Sequence, residues 1–222
     1  MSAVHADDDP LEQLRAQVAR IEGRPAQQSS APAIPTHPAL AELIQLRAGA
    51  SYAVDSASLA IAMMAGPSTG GAWCAIVGSA EISLSAAAAA GVVLDRTIVV
   101  PDPADQWPEV LAALIDAVQM VVFCPPGRVS ESVSSRLSAR LRARGGVLVV
   151  WGQWPRCQAQ LTITDSVWHG LGHGHGHLRA RQATVAVQPT HAPARTARIW
   201  LPDDHHRIRK TEDNIYALRS TG

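Results

Sequence analysis

An α/β fold with a mostly parallel sheet and an antiparallel C-terminal extension is what this sequence predicts, and three observations predict it. Four short segments, 72–77, 97–100, 120–124 and 147–151, are apolar almost without interruption, as strands covered on both faces are. Between them lie stretches with helical spacing of apolar residues, so strands and helices alternate. Beyond Trp151 the helices stop: 160–164 and 181–187 alternate or run β-branched with no helix between them, which predicts antiparallel pairing.

Taken in order, the first element is a separate N-terminal helix within 1–23. Asp9 is a good N-cap, Pro10 suits the first helical position and Glu12 completes a capping box. Leu11, Leu14, Val18 and Ile21 then recur at spacings of three and four, and Gly23 and Pro25 end the helix. This narrow stripe is the candidate partner-binding surface. It either packs back on its own domain or docks on another subunit or partner, and both readings stay open. Residues 24–38, with prolines at 25, 32, 35 and 38, read as an extended linker. A core domain over 39–189 follows, then a tail over 190–222.

The core opens with a short helix over 39–47, carrying Leu40, Leu43 and Ile44 on one side. The stretch 49–66 organises the rest: a strand over 51–54, a polar turn at Asp55 and Ser56, and a helix over 57–65 that is apolar all round. Such a helix is buried on several sides and belongs at the centre of a layered domain. An alanine-rich helix over 83–90 ends at Gly91, and the strand over 97–100 stops at Pro101-Asp102-Pro103. The helix over 106–118 has Val110, Leu111, Leu114, Ile115 and Val118 on one face. Pro125-Pro126-Gly127 cuts off the next strand, and Ser130 caps a helix over 130–144 with Val133, Leu137 and Leu141 inward. In the tail, 198–201 is a last strand, 203–210 a polar cluster, and 211–218 a helical turn or two.

With 222 residues, 47% of them hydrophobic, the chain can bury one sizeable α/β core with short appendages. Nineteen basic residues balance nineteen acidic ones, so no global field draws the protein to nucleic acid or anionic membrane, and any DNA contact needs a local patch. Cys74, Cys124 and Cys157 are too few for a disulfide framework and read as reduced thiols. The start of the chain is acidic (Asp7, Asp8, Asp9), without a signal segment, and no apolar run reaches membrane-spanning length. The expectation is a soluble, cytoplasmic protein.

Several constellations invite chemistry. A strand–turn–helix is where phosphate-binding loops sit, but that chemistry needs glycines, a lysine and a Ser/Thr for magnesium. Here the turn is Asp55-Ser56 and the sole lysine is Lys210, so it reads as a degenerate nucleotide turn with no cofactor. His169, His173, His175 and His177 alternate with Gly and Leu. Imidazoles at alternate positions share one face of a strand and can ligate metal, but no Asp, Glu or Cys completes a set, so a glycine-rich turn between strands is preferred. Arg136, Arg140, Arg142 and Arg144, with Arg128 just before, make a basic helix face, either solvated or a DNA-backbone patch that Arg179 and Arg181 could extend. Cys124 ends a central strand without a helix N-terminus to lower its pKa, so it is disfavoured as a nucleophile. No serine has a nucleophile-elbow context. The six tryptophans, Trp73, Trp107, Trp151, Trp154, Trp168 and Trp200, fall largely at strand ends, where rim packing is the default and partner binding the alternative.

From about Gly49 to Val187 the order of elements resembles the core of RecA-like recombinases. Gly71-Ala72-Trp73-Cys74-Ala75-Ile76-Val77-Gly78 resembles that family's second core strand, and Met120-Val121-Val122-Phe123-Cys124 its Walker B strand. More closely, the chain is similar to the short actinobacterial ImuA-type proteins, RecA-like accessory members of a damage-inducible mutagenesis cassette. Asp102-Pro103-Ala104-Asp105-Gln106-Trp107, Pro125-Pro126-Gly127-Arg128-Val129 and Gly174-His175-Gly176-His177-Leu178-Arg179-Ala180-Arg181 carry that likeness. It implies a RecA-like three-layer core and a non-catalytic scaffold in error-prone translesion synthesis after DNA damage. Such a scaffold would bind a Y-family polymerase-like protein, help recruit an error-prone replicative-type polymerase, self-associate through the N-terminal element, and gather on the nucleoid upon damage. The departures matter: the phosphate loop is reduced to Asp55-Ser56, and Cys124 or Pro125 stands where the Walker B aspartate would be. Losing lysine and carboxylate together removes what phosphoryl transfer relies on, so no ATPase activity is expected. The alternative is a nucleotide- or single-stranded-DNA-binding RecA-like protein with residual ATPase activity.

Overall fold

The computed structural model describes residues 32–171 and 176–211. The stripe of Leu11, Leu14, Val18 and Ile21, the first part of the linker, His173, His175 and the end of the tail lie outside the described residues.

One nine-stranded mixed sheet runs through the described chain. Its strands are β1 (Ser51–Val54), β2 (Cys74–Val77), β3 (Thr97–Val100), β4 (Met120–Phe123), β5 (Val147–Trp151), β6 (Ala159–Leu171), β7 (Gly176–Pro189), β8 (Arg195–Trp200) and β9 (Arg209–Lys210). The order is β3-β2-β4-β5-β1-β6-β7-β8-β9. Every pair from β3 to β6 is parallel, and β6 to β9 are antiparallel. The parallel half with an antiparallel extension is thus observed. The tail segment 195–210 is part of the same sheet.

Four helices connect the parallel strands: α1 (Ala57–Thr69), α2 (Leu84–Ala89), α3 (Trp107–Ala117) and α4 (Glu131–Arg144). Successive side chains of a strand point to opposite faces, and the core divides accordingly. On one face Tyr52, Val54, Ile76, Met120, Val122 and Val149 pack with Leu59, Met63 and Met64 of α1 and Ala87 of α2. On the other, Ala75, Val77, Val121, Phe123, Leu148 and Val150 pack with Leu111 and Ile115 of α3 and Leu137 and Leu141 of α4. Phe123 stacks on Trp107 at 5.1 Å and meets Trp154 edge-on at 6.4 Å, so two tryptophans are core packing.

Helix α1 is buried nearly all round, as its composition predicts, with Ser56 as N-cap accepting from Leu59 N. It continues through Gly66-Pro67 to Thr69, four residues past the expected end. Pro67 forfeits one backbone bond, but burial against the sheet carries the helix on.

Two expectations change at the N-terminal side of the core. Residues 39–47 form turns, with Leu40 N bonding His37 O and Ile44 N bonding Leu40 O, and no helix. Leu40, Leu43 and Ile44 are nonetheless buried, so the apolar spacing was sound and its length was not. Helix growth is stopped because residues 46–48 are held by the incoming chain. Ile34 N bonds Leu46 O at 2.9 Å, Ala48 N bonds Pro32 O at 3.0 Å, and Ala33 bridges Arg47. Residues 32–38, expected to end an extended linker, therefore form an extended strap fastened to the core. It crosses α1 at Gly66, where a side chain would strike the backbone of Pro35, Thr36 and His37.

Candidate functional site

The site the fold singles out is the carboxyl end of β1, at the centre of the sheet between β5 and β6. In open α/β sheets ligands bind at the carboxyl ends of strands, beside helix N-termini. Only Asp55 and Ser56 separate β1 from α1. Ser56 Oγ accepts from Leu59 N at 3.4 Å and Asp55 Oδ2 accepts from Ile163 N at 2.8 Å, while Asp55 N donates to Leu161 O at 3.3 Å. Asp55 thereby ties the turn to β6, where the register slips between Ile163 and Asp165. A cleft of about 390 Å³ opens here, lined by Asp55, Ser56, Ile163, Thr164, Asp165, Ser166 and Arg181.

Its chemistry is unfavourable to a triphosphate. The head of α1 carries partial positive charge, but Asp55 already stands beside it and Asp165 adds a second carboxylate. The one cation, Arg181, has its guanidinium 5.4 Å over the Trp168 ring. Lys210 is far along the sheet in β9, ion-paired with Glu42. At the end of β4, Cys124 N bonds Val77 O at 2.9 Å. Burial, and the carboxylate of Glu81 nearby, push the Cys124 thiol above its usual range, which keeps it protonated and a poor nucleophile.

Two arginines of the basic helix face share one carboxylate. On α4, Arg140 makes a bidentate pair with Asp116 (2.8 and 2.6 Å), and Arg144 reaches the same carboxylate at 3.1 Å. Bonds from Arg140 and Arg144 outweigh desolvation and hold Asp116 down at about 2. Arg128 lines a separate cavity of about 320 Å³ with Val129, Gln153, Trp154, Pro155 and Cys157, and Arg136 lies on α4. Arg179 and Arg181 stand on β7, with β1 and β6 between that strand and β5, so they do not extend the α4 face.

Of the segment's histidines, His169 lies on β6 and His177 on β7. His169 pairs with Ala180 and Trp168 with Arg181, and the register shifts before Leu171 pairs with Gly176. Among the described residues, no group of three His, Cys, Asp or Glu could hold a metal ion. Gly170, with φ of +112°, has no room for a side chain against the backbone of His177 and Arg179, so a glycine is required where the β6–β7 register shifts.

Sequence reasoning missed the buried Asp203. Its Oδ1 accepts from His205 N and Arg207 N, both at 2.9 Å, and its Oδ2 from Arg209 Nε at 2.9 Å. Burial pushes this carboxyl up, yet those bonds outweigh it and hold the group below its usual range. A polar cluster with an Asp followed at two and four residues by bond donors was the available signal.

Fold and site together define an α/β protein with a doubly covered parallel sheet and a two-residue acidic turn at its centre. Residues 39–156 match the family described as the MT3502 N-terminal domain. A Mycobacterium tuberculosis protein, named as uncharacterized protein Rv3395c, is 33% identical over 202 residues, spanning 85% of this chain and 88% of the relative. The chain belongs to the MT3502 family.

Proposed function

We propose that this chain is a non-catalytic RecA-like scaffold of DNA-damage-induced, error-prone translesion synthesis, binding a Y-family polymerase-like partner and, through it, an error-prone replicative-type polymerase. The observation that supports the non-catalytic part is the Asp55 carboxylate, bonded to Ile163 N across the strand gap at the head of α1. Where a phosphate would need N–H groups and a lysine, the chain places an anion and uses it as a structural tie. Supporting the RecA-like part is β1 at the sheet centre, feeding a buried helix, with the antiparallel strands on one side only. No helix among the described residues is long and apolar enough to cross a membrane.

Two measurements test it. Adding ATP and magnesium to the full-length chain is expected to leave the thermal midpoint unchanged, because a ligand that binds the folded state raises it by mass action. A concentration-dependent rise would overturn the non-catalytic reading. Co-purification with the Y-family polymerase homologue of the same genome is expected to retain the partner; a chain that elutes alone would overturn the scaffold reading.

A further inference from the structure

The cavity beside Arg128, of about 320 Å³, opens on the side of the sheet that carries α3 and α4. The loop from β4 to α4 brings Arg128 and Val129 to it, and the loop from β5 to β6 brings Gln153 and Trp154. Gln160 of β6 completes the wall, in register with Ala53 of β1. Strand β1 leads into α1 on one face and β4 into α4 on the other, with β5 between them. Strand ends whose connections part in this way are where open α/β sheets receive ligands. The cavity shares no residue with the cleft beside Asp55.

Its walls offer hydrogen-bond donors and one positive charge. Arg128 is the only charged side chain among the lining residues, and it makes no ion pair among the described residues. Glu131, the nearest acid along the chain, is held by Arg156 at 2.9 Å. Residues 125–131 and 152–160 together contain two Arg against one Glu, a balance of +1. Burial pushes the Cys157 thiol of the same cavity above its usual range, more than backbone bonds from Ala53 and Cys157 pull it down. That thiol is therefore neutral at neutral pH and adds no negative charge. Trp154 is buried edge-on to Phe123, and its indole N–H has no hydrogen-bond partner, a deficit that folded proteins rarely leave. Gln153 and Gln160 are exposed while Trp154 and Ala53 are buried, so amides face the solvent side and the floor is apolar.

We propose that this cavity binds an organic carboxylate with a small apolar body. The carboxylate pairs with the Arg128 guanidinium and the Gln153 and Gln160 amides, and the body lies against Val129, Trp154 and Pro155. A guanidinium matches a carboxylate with two parallel bonds. A phosphate dianion would meet a single positive charge here, so the site suits a monoanion. Its volume falls at the small end of ligand sites, which span about 300–1,000 Å³. The site stands whether or not the chain is a scaffold, because none of its residues enters that argument.

The experiment titrates the isotope-labelled full-length chain with naphthoate at neutral pH and follows the assigned tryptophan indole N–H resonances. We expect a saturable shift at Trp154, with Trp73, before β2, unmoved. Naphthamide, the neutral analogue of the same shape, should bind about tenfold more weakly, because the charge-assisted pair is lost. Arg128→Gln should weaken naphthoate about tenfold for the same reason and leave naphthamide unchanged. Arg128 is exposed, so this variant should melt as the native chain does and keep the test readable. Arg136→Gln, on α4, should alter neither. A tripeptide ending in leucine with a free carboxyl end is the second arm. Tighter binding than naphthoate assigns the carboxylate to a chain terminus, weaker binding to a free acid, and its amidated form should not bind. No saturable shift, equal binding of acid and amide, or an Arg128→Gln chain as tight as the native one would overturn the proposal. So would a Trp73 shift equal to that of Trp154, or inorganic phosphate that moves Trp154 at lower concentration than naphthoate does.

Discussion

Gly66→Ala separates what the sequence says from what the packing says. In a helix interior alanine is favoured over glycine by about 1 kcal/mol, so the helical pattern of α1 alone predicts that the change stabilises. The structure reverses the sign. A side-chain carbon at position 66 would lie 2.7 Å from the Thr36 carbonyl carbon and 2.9 Å from Pro35 O, and nearest of all to His37 N. All three are backbone atoms of the strap over 32–38, so no flexible side-chain tip can swing aside. Overpacking of this kind costs about 1–3 kcal/mol. The strap cannot lift freely, because Ile34 N–Leu46 O at 2.9 Å and Leu46 N–Thr36 Oγ1 at 3.1 Å hold it down, each contributing about 1 kcal/mol. Offsetting the upper part of the overpacking range by the propensity gain leaves a net loss of about 1–2 kcal/mol. For a domain of this size that lowers the melting midpoint by roughly 2–8 °C. Urea titration would show a lower midpoint at unchanged slope, and hydrogen exchange at Ile34 and Leu46 would quicken. An alanine variant as stable as the native chain, or more so, would refute the seating of the strap on α1.

Two further expectations concern pH. Burial pushes the Tyr52 phenol up to about 12, against the opposing bond from Arg47 N. A raised pKa means that the stabilisation is complete below pH 10 and disappears as pH rises through about 12. Tyr52→Phe should therefore cost about 1 kcal/mol at neutral pH, for the lost bond, yet flatten the decline between those values. Cys74, raised to about 11 by burial, titrates in both proteins, so the difference between the two stability curves isolates Tyr52. At the acid end, Asp116 is held down at about 2 by Arg140 and Arg144. Its contribution is present above about pH 4 and is lost as pH falls towards 2. Asp116→Asn should flatten that acid limb, with an effect that shrinks as salt is added. An acid limb identical to the native one would show that the pair contributes nothing.

The parallel half was legible because its signals are local. Strands at 51–54, 97–100 and 147–151 were read residue for residue, since buried strands between helices need only a short apolar run and a breaker. The helix beginning at Ala57 was read four residues short because Gly66-Pro67 looks like a stop, and only the surrounding core overrides it. The turn at Asp55-Ser56 was found, but not the bond from Ile163 N, which joins residues 108 apart in the chain. The same limit hid the bonds from Arg140 and Arg144 to Asp116, which lies on another helix. The β6–β7 ribbon was read as 160–164 and 181–187, far shorter than it is. Its outer part is exposed on both faces, so no apolar alternation marks it.

The division of the sheet into a covered and an uncovered half follows from the connections themselves. Parallel neighbours require crossovers, and the crossovers here supply α1 and α2 on one face and α3 and α4 on the other. Antiparallel neighbours are joined by hairpins and corners, so β6 to β9 bring no helix with them. One of their faces is buried because α1 is already there, and the other has nothing to close it. A side chain on that open face is constrained by its neighbours on the sheet but not by a packed layer above. Rings and cations can be held in place there, as Trp200 is by His169 and Arg209, at little cost to the core. The carboxyl end of β1 is the reverse case: Ser56 caps α1 and Asp55 ties down β6, so restoring a phosphate loop would undo two structural bonds. Selection on this framework therefore has more freedom at the antiparallel face than at the turn where an α/β protein ordinarily does its chemistry.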